Sequence, residues 1–309
     1  GGRTSLWTIT NATHGNLAGE LSIRLGLRGP SLCVSDGCAS SSDALAHAVD
    51  LLRSERAGAP EACVVVGADA HVRAETLIGM EHLKVISTRR CSTPEEAAGA
   101  SRPFDATRDG FVLGEGAWAM VVERRAHAEA RGAPVLGEVL GVGQTCDAYH
   151  RVRPDPAMTE CVRAMRLALE DAGLGPEGVG LIHLHGTGTR LNDEQEARAV
   201  RLAFGAQAGR LIGTSVKGAI GHPQGASGLA AAVASLAALT GGEPFCPPTV
   251  NLREPDPACG LDCTPLRART LGRSAEERTV LVNCLAFGAK NTALVLRAAE
   301  GAGQDPRGG

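Results

Sequence analysis

Residues 180–189 read GLIHLHGTGT, and the architecture turns on this stretch. A short apolar run enters a Gly/Thr turn, and a helical pattern follows from about Asp193. That is strand, loop, helix. The same order recurs elsewhere. "EACVVVGADA" (61–70) is a Val-rich run closed by Gly67 and reads as a buried parallel strand. "RLIGTSVKGAIGH" (210–222) is a strand and loop before the small-residue helix "GASGLAAAVASLAAL". "TVLVNCLAFGAKNTALVL" (279–296) predicts two strands joined by a Gly-containing turn, a hairpin. Helices are expected over 42–56, with Leu45, Ala48, Leu51 and Leu52 on one face, and over 158–172, with Cys161, Met165, Leu167 and Leu169. Alternating strands and helices argue for an α/β fold. Segments 92–110 and 241–260, rich in Pro, Gly and charge, are expected linkers, and 301–309 a disordered tail.

Composition bounds the function more than it defines it. The 309 residues are 43% hydrophobic and 21% charged, which suits a globular core, and only 3% aromatic, so Ala, Val, Leu and Ile must fill it. A net charge of −3 argues against nucleic-acid and membrane-surface partners, both of which want a basic field. No apolar run is long enough to span a bilayer, and the first residues do not form a signal peptide. The ten cysteines contain no C-x-x-C, and Cys259/Cys263 lack a second pair at zinc-like spacing. No metal is expected, and most of the thiols read as buried and reduced, as in a cytoplasmic protein.

Four loops carry residues capable of chemistry. In "CVSDGCASSSDAL" (33–45), Cys38 precedes a helix, whose N-terminal partial charge and free N–H groups favour a thiolate and can hold an oxyanion. The alternative is one more small buried residue. His185 opens "HGTGTRLND" at a strand end; on residue type alone a structural histidine is the commoner case. The glycine spacing there matches neither the P-loop nor the dinucleotide fingerprint. Lys217 and His222 sit in "SVKGAIGHPQGASG", readable also as a solvated lysine and a capping histidine. In "NCLAFGAKN", a turn at Phe287 and Gly288 can aim a backbone N–H at a reacting carbonyl.

Taken together, "LRGPSLCVSDGCASS", "SRPFDATRDGFVLGEGAWAMVVE", "DAYH", "HGTGTRLNDEQE", "SVKGAIGHPQGASG" and "NCLAFGAKN" stand in one order and spacing. On these motifs residues 5–298 resemble the β-ketoacyl synthases (ketosynthases) of fatty-acid and polyketide assembly, within the thiolase superfamily. The resemblance implies a five-layered αβαβα sandwich of two similar halves, with 1–133 the remainder of a nucleophile-bearing N-terminal half and 134–300 the C-terminal half. It implies Cys38 as the acylated nucleophile, with His185 and His222 binding the malonyl thioester and stabilising its enolate. Lys217 would order that network. The N–H groups of Cys38 and Phe287 would form the oxyanion hole, and Phe287 with Gly288 the gate. Glu196, Asp193 and Asn283 would be supporting residues, Glu196 pairing near the lysine. Asp105, Arg108, Asp109 and Glu115 read as scaffold. Lys84, Arg89 and Arg90 fall where the family meets an acyl carrier protein, although a solvated basic patch reads equally well. No cofactor would be bound, because the substrates ride on the carrier's phosphopantetheine.

The implied reaction is ping-pong: acyl transfer to Cys38, then decarboxylative Claisen condensation with a malonyl carrier. The sequence departs from the family's pattern at Asp36-Gly37, which precede the nucleophile and where small or hydroxyl residues are usual. Asp36 would raise the thiol pKa if it faces the sulfur, or cap the helix if it does not. Ala286 and Ala289 replace gate glycines, which would stiffen the loop and points to a specialised substrate. Ala231 stands where many elongating members have a glutamate. The family's first strands are not in this sequence, so a second polypeptide is expected to supply them, alongside a homodimeric or heterodimeric partner. The competing functions are a non-catalytic chain-length-factor type of subunit and a thiolase-like acyltransferase, for which Cys284 would be the second cysteine.

Overall fold

The computed structural model describes residues 5–264 and 266–300; the expected disordered tail, 301–309, lies outside the described residues. In chain order the first elements are α1 (Thr8–Ala12), α2 (Asn16–Leu25), α3 (Ser40–Arg53), β1 (Ala62–Asp69), α4 (Ala74–His82), α5 (Pro94–Ala98), β2 (Gly116–Glu123), α6 (Arg125–Ala130) and β3 (Gly137–Cys146). There follow α7 (Thr159–Asp171), β4 (Leu181–His183), α8 (Arg190–Phe204), β5 (Ile212–Thr214), α9 (Lys217–Ile220), α10 (Ser227–Thr240), β6 (Phe245–Cys246), β7 (Arg269–Thr270), β8 (Thr279–Ala286) and β9 (Lys290–Ala298).

The main sheet runs β3-β9-β8-β4-β5. The hairpin β8–β9 is antiparallel, and β4 is parallel to both β8 and β5, so the sheet is mixed. Both its faces are covered, which is why β8 is a nearly unbroken apolar run. Side chains alternate between two cores with the period of a strand. Leu281, Leu285, Ala293 and Val295 pack with Met165, Val200 and Phe204 of α7 and α8. Val280, Val282, Leu294 and Leu296 pack with Leu45 of α3 and with Leu229 and Leu236 of α10. Of the expected α3 and α7 faces, Leu51 and Leu167 are only partly buried, and the rest are buried.

The small residues of α10 serve close packing. A side chain at Gly228 would run into Ser42 of α3, so the two helices meet almost backbone to backbone. On their far side lies the pair β1–β2. Here the structure corrects the sequence: β1 is antiparallel to β2 and buried on one face only. Val65 packs inward at 4% exposure, while Val64 and Val121, at 38% and 61%, face outward. A short Val-rich run fits a buried strand and a half-buried one equally well. The fold is α/β, and four layers stack: α7/α8, the main sheet, α3/α10, and β1–β2.

The two expected linkers are also corrected, since both are packed. Segment 92–110 contains α5 and buries Phe104, Asp105 and Arg108; segment 241–260 contains β6 and buries Leu252 and Cys259. Arg108, fully buried, ties them to α8. It donates to Asp256 at 2.5 Å and Glu194 at 3.2 Å, lies 3.4 Å from Asp193, and also bonds the carbonyl of Asp105. Among the described residues no helix is long and apolar enough to cross a membrane.

Candidate active site

The turn before α3 presents Cys38. Gly37 has φ +62°, a conformation side chains resist, so glycine suits the tight turn that places the buried Cys38 at the start of α3. Ser40 locks the turn, accepting from the Asp36 N–H at 2.8 Å and donating to the Gly37 carbonyl at 2.6 Å. The Asp36 carboxylate neither caps the helix nor faces the sulfur: it pairs with the Lys290 ammonium beyond the gate turn. Burial pushes the Cys38 thiol up to about 11, opposed by the Lys217 charge and by the N–H groups of Phe287 and Cys38. Those two N–H groups, expected to form an oxyanion hole, are thus the ones directed at the sulfur.

The histidines arrive from two loops of the main sheet. His185 lies just past the end of β4, and His222 between α9 and α10. Their rings sit 5.3 Å apart at 84°, and one atom from each, with Cys38 Sγ, falls within a 4.8 Å cluster. Phe111 packs edge-on against His222 at 5.2 Å. Ser227 Oγ lies 2.9 Å from His222 Nδ1, which leaves Nε2 free to act elsewhere. Burial, then the Lys217 charge, hold both imidazoles well below their ordinary pKa. At neutral pH they are uncharged, each able to donate one N–H.

Lys217 and Glu196 fix His185 from two directions. The Lys217 ammonium donates to the His185 carbonyl at 2.6 Å. Glu196 accepts from the N–H groups of His185 at 2.6 Å and Gly186 at 2.8 Å, and from Asn283 Nδ2 at 2.7 Å. Burial nevertheless raises Glu196 to about 7. Glu196 and Lys217 both bind the His185 backbone, so the acid lies near the lysine without forming an ion pair with it among the described residues. Asp193 accepts from Thr187, Gly188 and Phe104 N–H groups, so it shapes the HGTGT loop rather than touching Cys38. Ala231 packs in the core beside α3.

The turn from Phe287 to Ala289, the expected gate, closes the β8–β9 hairpin. The Gly288 N–H donates to Arg151 at 2.7 Å, so it is occupied, whereas that of Phe287 is the one aimed at Cys38. Ala289 sits at φ +67°, a strained position for a residue with a side chain. Its carbonyl accepts from Asp147, whose carboxylate in turn accepts from Asn291 at 2.7 Å. Cys38, both histidines, Phe111 and Phe287 line one cavity of about 560 Å³. Its wall also carries Thr187, Thr189 and the exposed Lys84, Arg153 and Arg190. Arg89 and Arg90 are exposed, with Arg89 donating to Thr107 at 3.2 Å.

Thr187, Thr189, Gln224 and His183 escaped the sequence reading. Thr187, Thr189 and Gln224 lay inside quoted motifs, but nothing in their spacing marked them. Gln224 Oε1 accepts from Cys38 Sγ at 3.2 Å. Cys284 Sγ donates to the Cys38 carbonyl at 3.1 Å and lies 3.8 Å from His185 Nδ1. His183 is structural, bonded to Ser235 and to the Val216 N–H.

Comparison with known proteins agrees with this geometry. Residues 1–128 match the family described as "Beta-ketoacyl synthase, N-terminal domain", and 136–253 "Beta-ketoacyl synthase, C-terminal domain". The chain is 38% identical over 280 residues to 3-oxoacyl-(acyl-carrier-protein) synthase 2 of Synechocystis sp., covering 91% of this chain and 64% of that protein. It therefore spans somewhat less than two thirds of that relative's length. One solved structure, a type II polyketide acyl-carrier protein in complex with its ketosynthase bound to the hexaketide, superposes at a TM-score of 0.88 with 27% identity, over 96% of this chain and 70% of that one. Another, the ishigamide ketosynthase/chain length factor, gives 0.81 and 33%, over 93% and 66%. The thiol, the two neutral imidazoles and the matches over both parts of the chain converge: this chain belongs to the β-ketoacyl synthase family.

Proposed function

We propose that the chain is an acyltransferase of the ketosynthase type, joining an acyl group held on Cys38 to a malonyl unit carried by an acyl carrier protein. The observation that carries this reading is the buried cluster of Cys38, His185 and His222 at one cavity. The Cys38 sulfur attacks the acyl thioester of the carrier's phosphopantetheine; a new C–S bond forms and the carrier thiol leaves with the proton. A malonyl carrier then binds. As its carboxylate departs as CO₂, the electron pair passes to the thioester oxygen, where His185 and His222 each donate an N–H. Neutral imidazoles suit this role, because they stabilise the enolate without quenching it by proton transfer. Each is worth about 2.7–4 kcal/mol at the transition state by analogy with single oxyanion donors. The carbanion attacks the Cys38 thioester, whose oxygen rests on the N–H groups of Cys38 and Phe287. The C–S bond to Cys38 then breaks.

Lys217, Glu196, Asp193 and Asn283 hold the histidine loop, and Phe287 with Gly288 gates the pocket. An exposed cationic wall at Lys84, Arg153 and Arg190 suits the phosphate of a pantetheine arm, with Arg89 and Arg90 nearby in sequence for the acidic carrier. Assembly of a polyketide or a specialised fatty-acyl chain is favoured by the stiff alanine-bearing gate. The proposed partners are the carrier, a ketosynthase-type dimer mate, and a polypeptide covering the outward apolar face at Val64 and Val121. A cytoplasmic setting accords with ten free thiols among the described residues.

The test is intact-mass analysis after incubation with an acyl carrier substrate, beside Cys38→Ala. An adduct of acyl mass on the native chain alone is expected. A folded protein that takes no adduct would favour the pocket-shaping, non-catalytic reading instead.

A further inference from the structure

Cys38 Sγ makes one hydrogen bond to a side chain among the described residues, to Gln224 Oε1 at 3.2 Å. The other end of that carboxamide, Nε2, is buried without a hydrogen-bond partner among the described residues. Buried N–H groups are seldom left unpaired, and one beside a reactive sulfur calls for a reason. The backbone supplies a second observation: Gln224 sits at φ +41°, in the left-handed region. This strained residue is clamped in place. The Gly225 N–H donates to Asp69 Oδ2 at 3.1 Å, Asp69 Oδ1 lies 2.6 Å from His71 Nδ1, and the Ala226 N–H donates to Pro223 at 2.9 Å.

We infer that Gln224 is a two-state partner of the nucleophile: its oxygen accepts from the Cys38 thiol, and after a half-turn of the carboxamide its Nε2–H holds the thiolate. This rests on the reading of Cys38 as the acylated residue. The two ends of a carboxamide have nearly the same size, so the half-turn disturbs no packing. An N–H bonded to an anionic sulfur is stronger than an S–H bonded to a neutral oxygen, so the exchange favours the ionised form. The charged and titratable groups acting on the sulfur are Lys217, which favours the thiolate, and Asp69, which opposes it, with the neutral His185 and His222 and the buried Cys284 thiol close by. In acyl transfer the Cys38 S–C bond forms while the carrier's C–S bond breaks. The departing carrier thiolate takes up the proton that Cys38 released, and Gln224 neither gains nor loses one.

The test is alkylation of Cys38 by iodoacetamide in the full chain, resolved by peptide mass spectrometry over a series from neutral to alkaline pH. The exposed Cys33 serves as an internal reference. Gln224→Leu and Gln224→Met keep the bulk and remove both hydrogen bonds. Below the titration midpoint each is expected to slow Cys38 alkylation about tenfold and to move the midpoint up by about one pH unit, with Cys33 unchanged. Gln224→Glu, which can only accept, is expected to slow it further. Should the leucine variant not fold by thermal melting, the methionine variant, closer in length, decides. A folded Gln224→Met with native rate and pH profile overturns the inference. Alkylation needs no carrier protein, so the two readings separate. If the native chain takes no acyl group but Gln224→Met slows alkylation, the ketosynthase reading fails and this inference stands. If the native chain is acylated and Gln224→Met alkylates normally, the reverse holds.

Discussion

Around His185, every fastening is buried: Glu196 grips two backbone N–H groups, Lys217 the carbonyl, and Asp193 the next two residues of the loop. Around Cys38 the fastenings are fewer and mixed: a glycine turn, one serine, the buried Cys284 thiol on its carbonyl, Gln224 on its sulfur, and an ion pair whose members, Lys290 and Asp36, are 38% and 32% exposed. Buried polar networks fix one geometry, because any displacement strands a desolvated group. Half-exposed pairs tolerate movement, because water replaces a lost partner. The contrast suits the proposed division of labour. The enolate's donors must stay where they are, whereas the nucleophile and gate must admit an acyl chain and release a longer one.

Breaking the nucleophile itself should have the largest effect. Cys38→Ala is expected to abolish the acyl adduct entirely while leaving thermal unfolding near native; an adduct of undiminished yield would place the acyl group elsewhere. On the rigid side, Arg108→Met should cost about 3–5 kcal/mol in urea unfolding, because it leaves the buried Asp193 without its counter-charge. A loss below about 1 kcal/mol would mean that the histidine loop is held by its backbone bonds alone. His222→Ala should lower condensation about 10²–10³-fold with little change in Cys38 acylation, and a matching drop in acylation would contradict the separation of the two sides.

Acid should act on the histidine side next. His183, His185 and His222 are buried and neutral, so the unfolded chain binds protons below about pH 6.5 that the folded one does not. Stability is therefore full above that pH and lost as pH falls. Glu196, held near 7, works the other way, as do Asp43 and Asp193, which burial also raises. The three histidines set the sign, and stability is expected to fall as the pH is lowered from about 6 to 5. Urea midpoints that stay flat over that range would refute it. The smallest effect belongs to the flexible side: Lys290→Met should change stability by less than about 1 kcal/mol, and less still at high salt.

Much of this contrast was legible in sequence, but unevenly. The hairpin at 279–298 and the strand–loop–helix at 180–204 follow from apolar runs broken by Gly and Thr, a local signal. The loops bearing Cys38, His185, Lys217, His222 and Phe287 are singled out by their resemblance in order and spacing. The long-range polar partners were not readable. Asp36 meets Lys290 across 254 positions, and Gln224 meets Cys38 across 186, and no periodicity encodes either contact. For β1, Ala62–Asp69 satisfies the buried parallel and the half-buried antiparallel pattern at once, and only its neighbour β2 decides between them. Glu196 reads in sequence as a supporting acid near the lysine, but its partners, two backbone N–H groups and the Asn283 carboxamide, lie on other elements that its own spacing does not announce.

The proposed gate is the turn of a hairpin whose two strands are buried along nearly all of their length. Strand pairing ends at Ala286 and Lys290, and the three residues between contribute nothing to either core. For protein engineering this makes the turn an exchangeable cassette. A library of alternative turns between those two positions would vary the doorway while the frame, and hence the folding of the chain, stays the same.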